Sequence, residues 1–160
     1  MTAGATLPSR LAGVLDGRDL AAKRGLTFLL ATTSTDGWPA IAMLSVGEVV
    51  ADGDAGLRLA LHQGTGSELA LRASGRATLL TVIEGEVHTL RLRCAPLGTW
   101  EADGLRRAAY AAEIELVRAH AVPYATVTSG IVFELTDPLV PARWEDAIDT
   151  LRRLEPPPST

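Results

Sequence analysis

The sequence predicts an α+β domain, mainly β: an antiparallel sheet or small barrel of about six strands with helices at its periphery. Three observations carry this. Short apolar runs, one of them with a strict period of 2, are separated by Asp-Gly and Glu-Gly pairs, the dipeptides that turn hairpins. One short helical segment interrupts the strand series and a longer one follows it. A chain of 160 residues, 47% hydrophobic and 21% charged, has enough core for one domain, without a repeat or internal linker to suggest a second.

The elements follow in order. Ser9 is placed as the N-cap of a first helix within residues 1–25, with Leu11, Val14, Leu15 and Leu20 at helical spacing and Gly25 as its stop. Residues 26–33 form an apolar strand ending at Ser34-Thr35-Asp36-Gly37. A second strand is expected over 39–50, and a third over 57–62, where Leu57, Leu59 and Leu61 alternate with Arg58, Ala60 and His62. Residues 67–74 read as a short helix with Leu69 and Leu71 inward and Gly75 closing it. Strands 76–83 and 86–96 are joined through Glu84-Gly85. Residues 100–121 carry Leu105, Ala109, Ala112, Leu116 and Ala119 as one helical stripe, so a long helix is expected there. A last strand over 124–136 precedes Asp137-Pro138, and a terminal helix over 144–154 leads into a proline-rich tail. The core of the domain is thus 26–145, with 146–160 as C-terminal helix and tail.

A formal net charge of −4, with Lys23 the only lysine, argues against a coat for nucleic acid or anionic membrane. Cys94, the one cysteine, has no internal disulfide partner, and no Cys/His spacing suggests a metal site. The start shows no basic segment followed by an apolar one, and no apolar run reaches the roughly 20 residues of a membrane span, so a cytoplasmic location is expected.

No nucleophile, metal cluster or acid/base pair emerges, and no catalytic residue is assigned. Gly64-Thr65-Gly66-Ser67 leads into a helix and reads either as an anion cradle or as an ordinary capped loop. His62 ends a strand beside this loop; His88 and His120 read as structural or surface residues. Arg91 and Arg93 share a solvated strand face, and Glu113 and Glu115 do not share a helix face.

Three stretches carry a further reading. Leu29-Leu30-Ala31-Thr32-Thr33-Ser34-Thr35-Asp36-Gly37-Trp38-Pro39 is an apolar strand ending in a D-G-x-P turn. Residues 57–80, LRLALHQGTGSELALRASGRATLL, run strand, loop, helix, strand. Pro138 and Trp144 form a P…W pair after the last expected strand. In this order and spacing, over most of 26–145, the chain resembles the pyridoxamine 5′-phosphate oxidase-like family of FMN-binding split barrels. The resemblance implies a six-stranded antiparallel split barrel and a homodimer with FMN in grooves between subunits. By position, Ala42, Met43 and Leu44 would line the isoalloxazine, Leu61 and His62 would approach it, and Thr65, Gly66 and Ser67 would hold the phosphate.

The sequence departs from the family in its cations. The usual Ser-Arg-Lys of the loop is Thr65-Gly66-Ser67, and the cationic position on the second strand is Ala42. Arg72 or Arg58 would have to compensate. The leading expectation is an FMN-binding oxidoreductase-like protein of unknown substrate, with pyridoxamine 5′-phosphate oxidase activity itself disfavoured because its substrate also carries a phosphate. The alternative is a dimeric binding module that has lost FMN, or that holds haem or a deazaflavin, for which His62 is the hint. Trp144 reads equally as a groove residue or as a staple for the C-terminal helix.

Overall fold

The turns set the pairing. Residues 5–158 are described by a computed structural model, so residues 1–4 and 159–160, at the ends of the expected N-terminal segment and tail, lie outside it. The strands are β1 (Phe28–Thr33), β2 (Pro39–Leu44), β3 (Val49–Ala51), β4 (Gly56–His62), β5 (Arg76–Ile83), β6 (Glu86–Ala102) and β7 (Leu105–His120). They form one antiparallel sheet in the order β2-β1-β5-β6-β7-β4-β3. This is a seven-stranded sheet that does not close, rather than the six-stranded barrel expected. Its two edge strands, β2 and β3, are consecutive in the chain and joined by residues 45–48, which is consistent with a split barrel.

The predicted hairpin at Glu84-Gly85 forms, with φ of 49° and 82° at the two turn residues. Asp103-Gly104, with φ of 53° and 72°, makes the same kind of turn between β6 and β7. That turn overturns the long helix expected over 100–121. The segment is strand: Tyr110, Ala112 and Ile114 are buried while Glu113 and Glu115 face solvent together. Its alanine-rich stripe fits a helix by propensity, but it pairs with β6 along its length and with β4 over Arg107 to Glu113, and tertiary pairing overrides a weak local preference.

Two more expectations fail on tertiary grounds. The strand over 39–50 breaks at residues 45–48, where Ser45 and Glu48 bond to each other and turn the chain from one sheet edge to the other. The strand over 124–136 is irregular: only Val132 pairs, with Leu26, and Gly130 lies against Val82. The first helix also divides. α1 (Ser9–Val14) starts after Pro8, with no side-chain cap from Ser9, and positive φ at Gly17 and Asp19 separates it from a 3₁₀ turn at Leu20–Lys23.

α2 (Gly66–Ser74) forms as expected and ends at Gly75 in the left-handed conformation. Leu71 is buried, but Leu69 is half exposed; the second inward position is taken by Glu68. α3 (Val140–Arg153) starts four residues before the expected helix and docks through Ile148 and Leu151. Arg58 caps its C-terminus, donating to the carbonyls of Leu151 at 2.7 Å and Leu154 at 2.6 Å. Phe28, Leu30, Leu57, Leu59, Leu79, Leu90, Leu92 and Ile114 fill the core, with Arg91 and Arg93 on the outer face of β6. None of the described helices is long and apolar enough to cross a membrane.

His88 is buried on β6, and neither ring nitrogen has a hydrogen-bond partner. Burial pushes its pKa below the ordinary 6.5; Glu86 opposes this, while Arg10 and His120 add to it. The folded protein therefore refuses a proton that the unfolded chain accepts, and stability falls as the pH drops below about 6.5. His88→Leu is expected to gain about 1 kcal/mol at neutral pH by removing an unpaired buried polar group, and more at pH 5. Denaturant titrations of both proteins at the two pH values check this.

Candidate functional site

β2 is an edge strand, paired only with β1, so one flank of its backbone and the side chains of Ile41 and Met43 remain uncovered. Across from it, β4 ends at His62 and the chain turns into α2. Between the two lies a groove of about 420 Å³. β2 supplies Ala42, Met43 and Leu44, the end of β4 supplies Leu61 and His62, and the loop and first turn of α2 supply Thr65, Gly66 and Ser67. Eight of the ten residues proposed from sequence thus meet at one surface. Ala40, Ile41 and Glu48 complete it.

The start of α2 is built by a T-x-x-E pattern. The Thr65 hydroxyl accepts from the Glu68 N–H at 3.4 Å and donates to the His62 carbonyl at 2.9 Å. Glu68 reaches back to accept the Gly64 N–H at 2.9 Å. The amides of Gly66 and Ser67 remain without an acceptor among the described residues. A Cβ on Gly66 would meet nothing within 4 Å, so the space before this turn is open.

Glu68 is the residue that sequence reasoning missed, and the capping pattern Thr65…Glu68 was its signal. Its carboxylate is almost fully buried. It also accepts from the Tyr110 hydroxyl at 2.6 Å and from Arg72, through Nε at 3.1 Å and Nη2 at 2.6 Å. Burial alone would raise its pKa, but Arg72, Tyr110 and the Gly64 amide together outweigh burial and hold it below the ordinary 4.5. Burial and Glu68 push the Tyr110 phenol upward, so it stays a donor.

The other two predicted residues lie elsewhere. Arg72 is committed to Glu68 and does not line the groove. Arg58, considered as a substitute, is held at Asp52 and the end of α3. Trp144 stands on α3, half-buried, with its indole over Gly47. It lines a second cavity of about 440 Å³ between α3 and the β6–β7 hairpin, and a smaller one shared with Met43, Leu44 and Glu48. Glu48 sits where these spaces meet. It accepts from the Ser45 N–H at 2.7 Å and hydroxyl at 2.9 Å, and faces Arg107 at 3.7 Å.

Cys94 is buried, with its thiol pushed up to about 12, so it is unsuited to act as a nucleophile. Among the described residues, no group of three or more His, Cys, Asp or Glu could hold a metal ion.

The groove accepts a flat apolar group along β2, but its donor set is neutral. No Lys or Arg lines it. The residues present fit a flavin-type ring; they do not fit a phosphate dianion held by charge-assisted bonds.

The architecture is an open antiparallel split barrel with a groove between its edge strand and a helix start. The chain has the fold of the pyridoxamine 5′-phosphate oxidase-like split barrels. It is 32% identical over 148 residues to the uncharacterized protein YclD of Bacillus subtilis strain 168, spanning 92% of this chain and 96% of that protein. No protein-family profile matches the sequence. In fold it is similar to an F420 reductase, with a TM-score of 0.52 and 16% identity over 70% of this chain and 98% of that one. It is also similar to a candidate pyridoxamine 5′-phosphate oxidase from Lactobacillus delbrueckii, with a TM-score of 0.54 and 12% identity over 71% and 93% of the two chains. HupZ of Group A Streptococcus aligns with a TM-score of 0.51 and 12% identity, over 71% and 95%.

Proposed function

We propose that this protein binds a flavin-class ring in the groove along β2 and serves as an oxidoreductase-type flavoprotein. The observation that carries the reading is the convergence of an apolar edge strand, the end of β4 and the open start of α2 on one groove of about 420 Å³. Two similar folds, an F420 reductase and a candidate pyridoxamine 5′-phosphate oxidase, support the redox class.

A bound flavin supplies the electron or hydride transfer itself. The chain's part is positioning. Ile41, Met43 and Leu44 offer apolar contact and exclude water from one face of the ring, while the Gly66 and Ser67 amides offer neutral donors. No side chain is assigned as acid or base. A lining without Lys or Arg also favours a second reading, a binding module for another conjugated ring, with His62 at the rim as the haem contact.

A second copy of the chain is proposed to cover β2. Trp38, Ile41 and Met43, at 74%, 64% and 66% exposure, give this edge an apolar surface that a partner would bury. Sedimentation should show a dimer at micromolar concentration; a stable monomer there would remove the shared-groove arrangement.

The visible spectrum of the purified protein and titration with flavins test the ring assignment. Met43→Glu, at an exposed position, should leave the far-UV circular dichroism unchanged and weaken ring binding at least about tenfold, because it sets a charge against an apolar ligand. A haem spectrum without flavin affinity would move the assignment to the second reading.

A further inference from the structure

The start of α2 carries its own anion. Glu68, almost fully buried, takes up the Gly64 amide, the Tyr110 hydroxyl and the Nε–Nη2 edge of Arg72. Arg72, the cation on the helix that the loop opens, is thereby tied to a carboxylate, and one of the loop's amides is already spent. A phosphate arriving at the open end of the groove meets the neutral amides of Gly66 and Ser67, with a negative charge on the first turn of the same helix. Negative charge there already complements the positive end of the helix, so a second anion gains less from it, and Arg72, spent on Glu68, adds no free cation.

Resting on the flavin reading above, we propose that Glu68 sets the charge preference of the groove: by holding Arg72 it removes the advantage a free cation would give a phosphorylated ring, so the groove takes a ring with an uncharged tail as readily as its phosphorylated counterpart. Glu68 does not line the groove, so it acts as a specificity-determining residue through Arg72 and the loop.

The test compares riboflavin with FMN on the full chain, by fluorescence quenching. In the wild type the two dissociation constants should agree within about threefold. Glu68→Gln removes the resident charge and releases Arg72. It should tighten FMN at least about tenfold relative to riboflavin, the gain from one charge-assisted hydrogen bond. Gly66→Arg leaves the Glu68 bonds intact and has open space for its side chain, so it tests whether the ligand's tail reaches the loop, as the inference requires, even where Glu68→Gln fails to fold. It too should raise the preference for FMN about tenfold.

A wild-type preference for FMN of about 100-fold or more overturns this inference and leaves the flavin reading standing. A ratio that neither variant moves overturns it as well, since the phosphate then lies away from the loop. Binding of neither flavin overturns the flavin reading, and the inference falls with it.

Discussion

Gly47→Ala is expected to destabilise the protein by about 2–3 kcal/mol, in the upper part of the range for overpacking. A Cβ at Gly47 would fall within the van der Waals envelope of Trp144 Cγ and Cδ1 and 2.5 Å from its Cβ. Either the indole must leave, exposing the cavity between α3 and the β6–β7 hairpin, or the 45–48 turn must move and strain the Ser45–Glu48 bonds. For a chain of this size the loss corresponds to a drop in Tm of roughly 5–10 °C. Trp144→Ala alone should cost roughly 2–3 kcal/mol, less than a fully buried tryptophan because the ring is half exposed. The double variant separates the causes. With the indole gone, Gly47→Ala should become nearly neutral, so the two changes should couple by about 2 kcal/mol. Strict additivity in thermal or denaturant unfolding would show that the clash is relieved without Trp144 moving. Because Trp144 does not line the β2 groove, its loss should leave ring affinity within about threefold.

Glu68→Ala should cost roughly 2–4 kcal/mol, because it strands a buried phenol and a loop amide that both donate to the carboxylate. Arg72, about half exposed, can turn to solvent, which keeps the loss below that of breaking a fully buried ion pair. The same carboxylate gives an acid-side signature. Its folded pKa lies below the ordinary 4.5, so its contribution is complete above that value and is lost as the pH falls through the lower folded value. Unfolding free energies of wild type and Glu68→Ala should therefore converge in acid. A gap that stays constant to pH 2 would mean that the charge of Glu68 contributes nothing.

The groove was legible in part because its makers are local signals. The Asp36-Gly37 turn fixed the β1–β2 hairpin, the alternation Leu57, Leu59, Leu61 fixed the inward face of β4, and Thr65 with Gly75 bounded α2. Each depends on backbone conformation or on a period that the chain carries without help from distant residues. The resemblance placed these pieces in order, and the groove then gathered eight of the ten residues named.

What stayed hidden depends on which segments meet. Residues 105–120 have a helix-like stripe, and only pairing with both β4 and β6 makes them a strand. Residues 39–50 form one apolar run, and the break at 45–48 exists because α3 brings Trp144 onto Gly47 and Glu48 bonds back to Ser45. Arg58 and Arg72 were free cations as letters in a sequence; the fold commits one to the end of α3 and the other to Glu68. By itself the sequence determined the turns, the inward face of β4, the bounds of α2 and the resemblance to a split barrel, since these rest on local backbone preference and on residue order. Only the tertiary structure decided the seventh strand, the open sheet and the charge of the groove. Strand pairing and the sharing-out of cations among carboxylates and helix ends are settled between residues far apart in the chain.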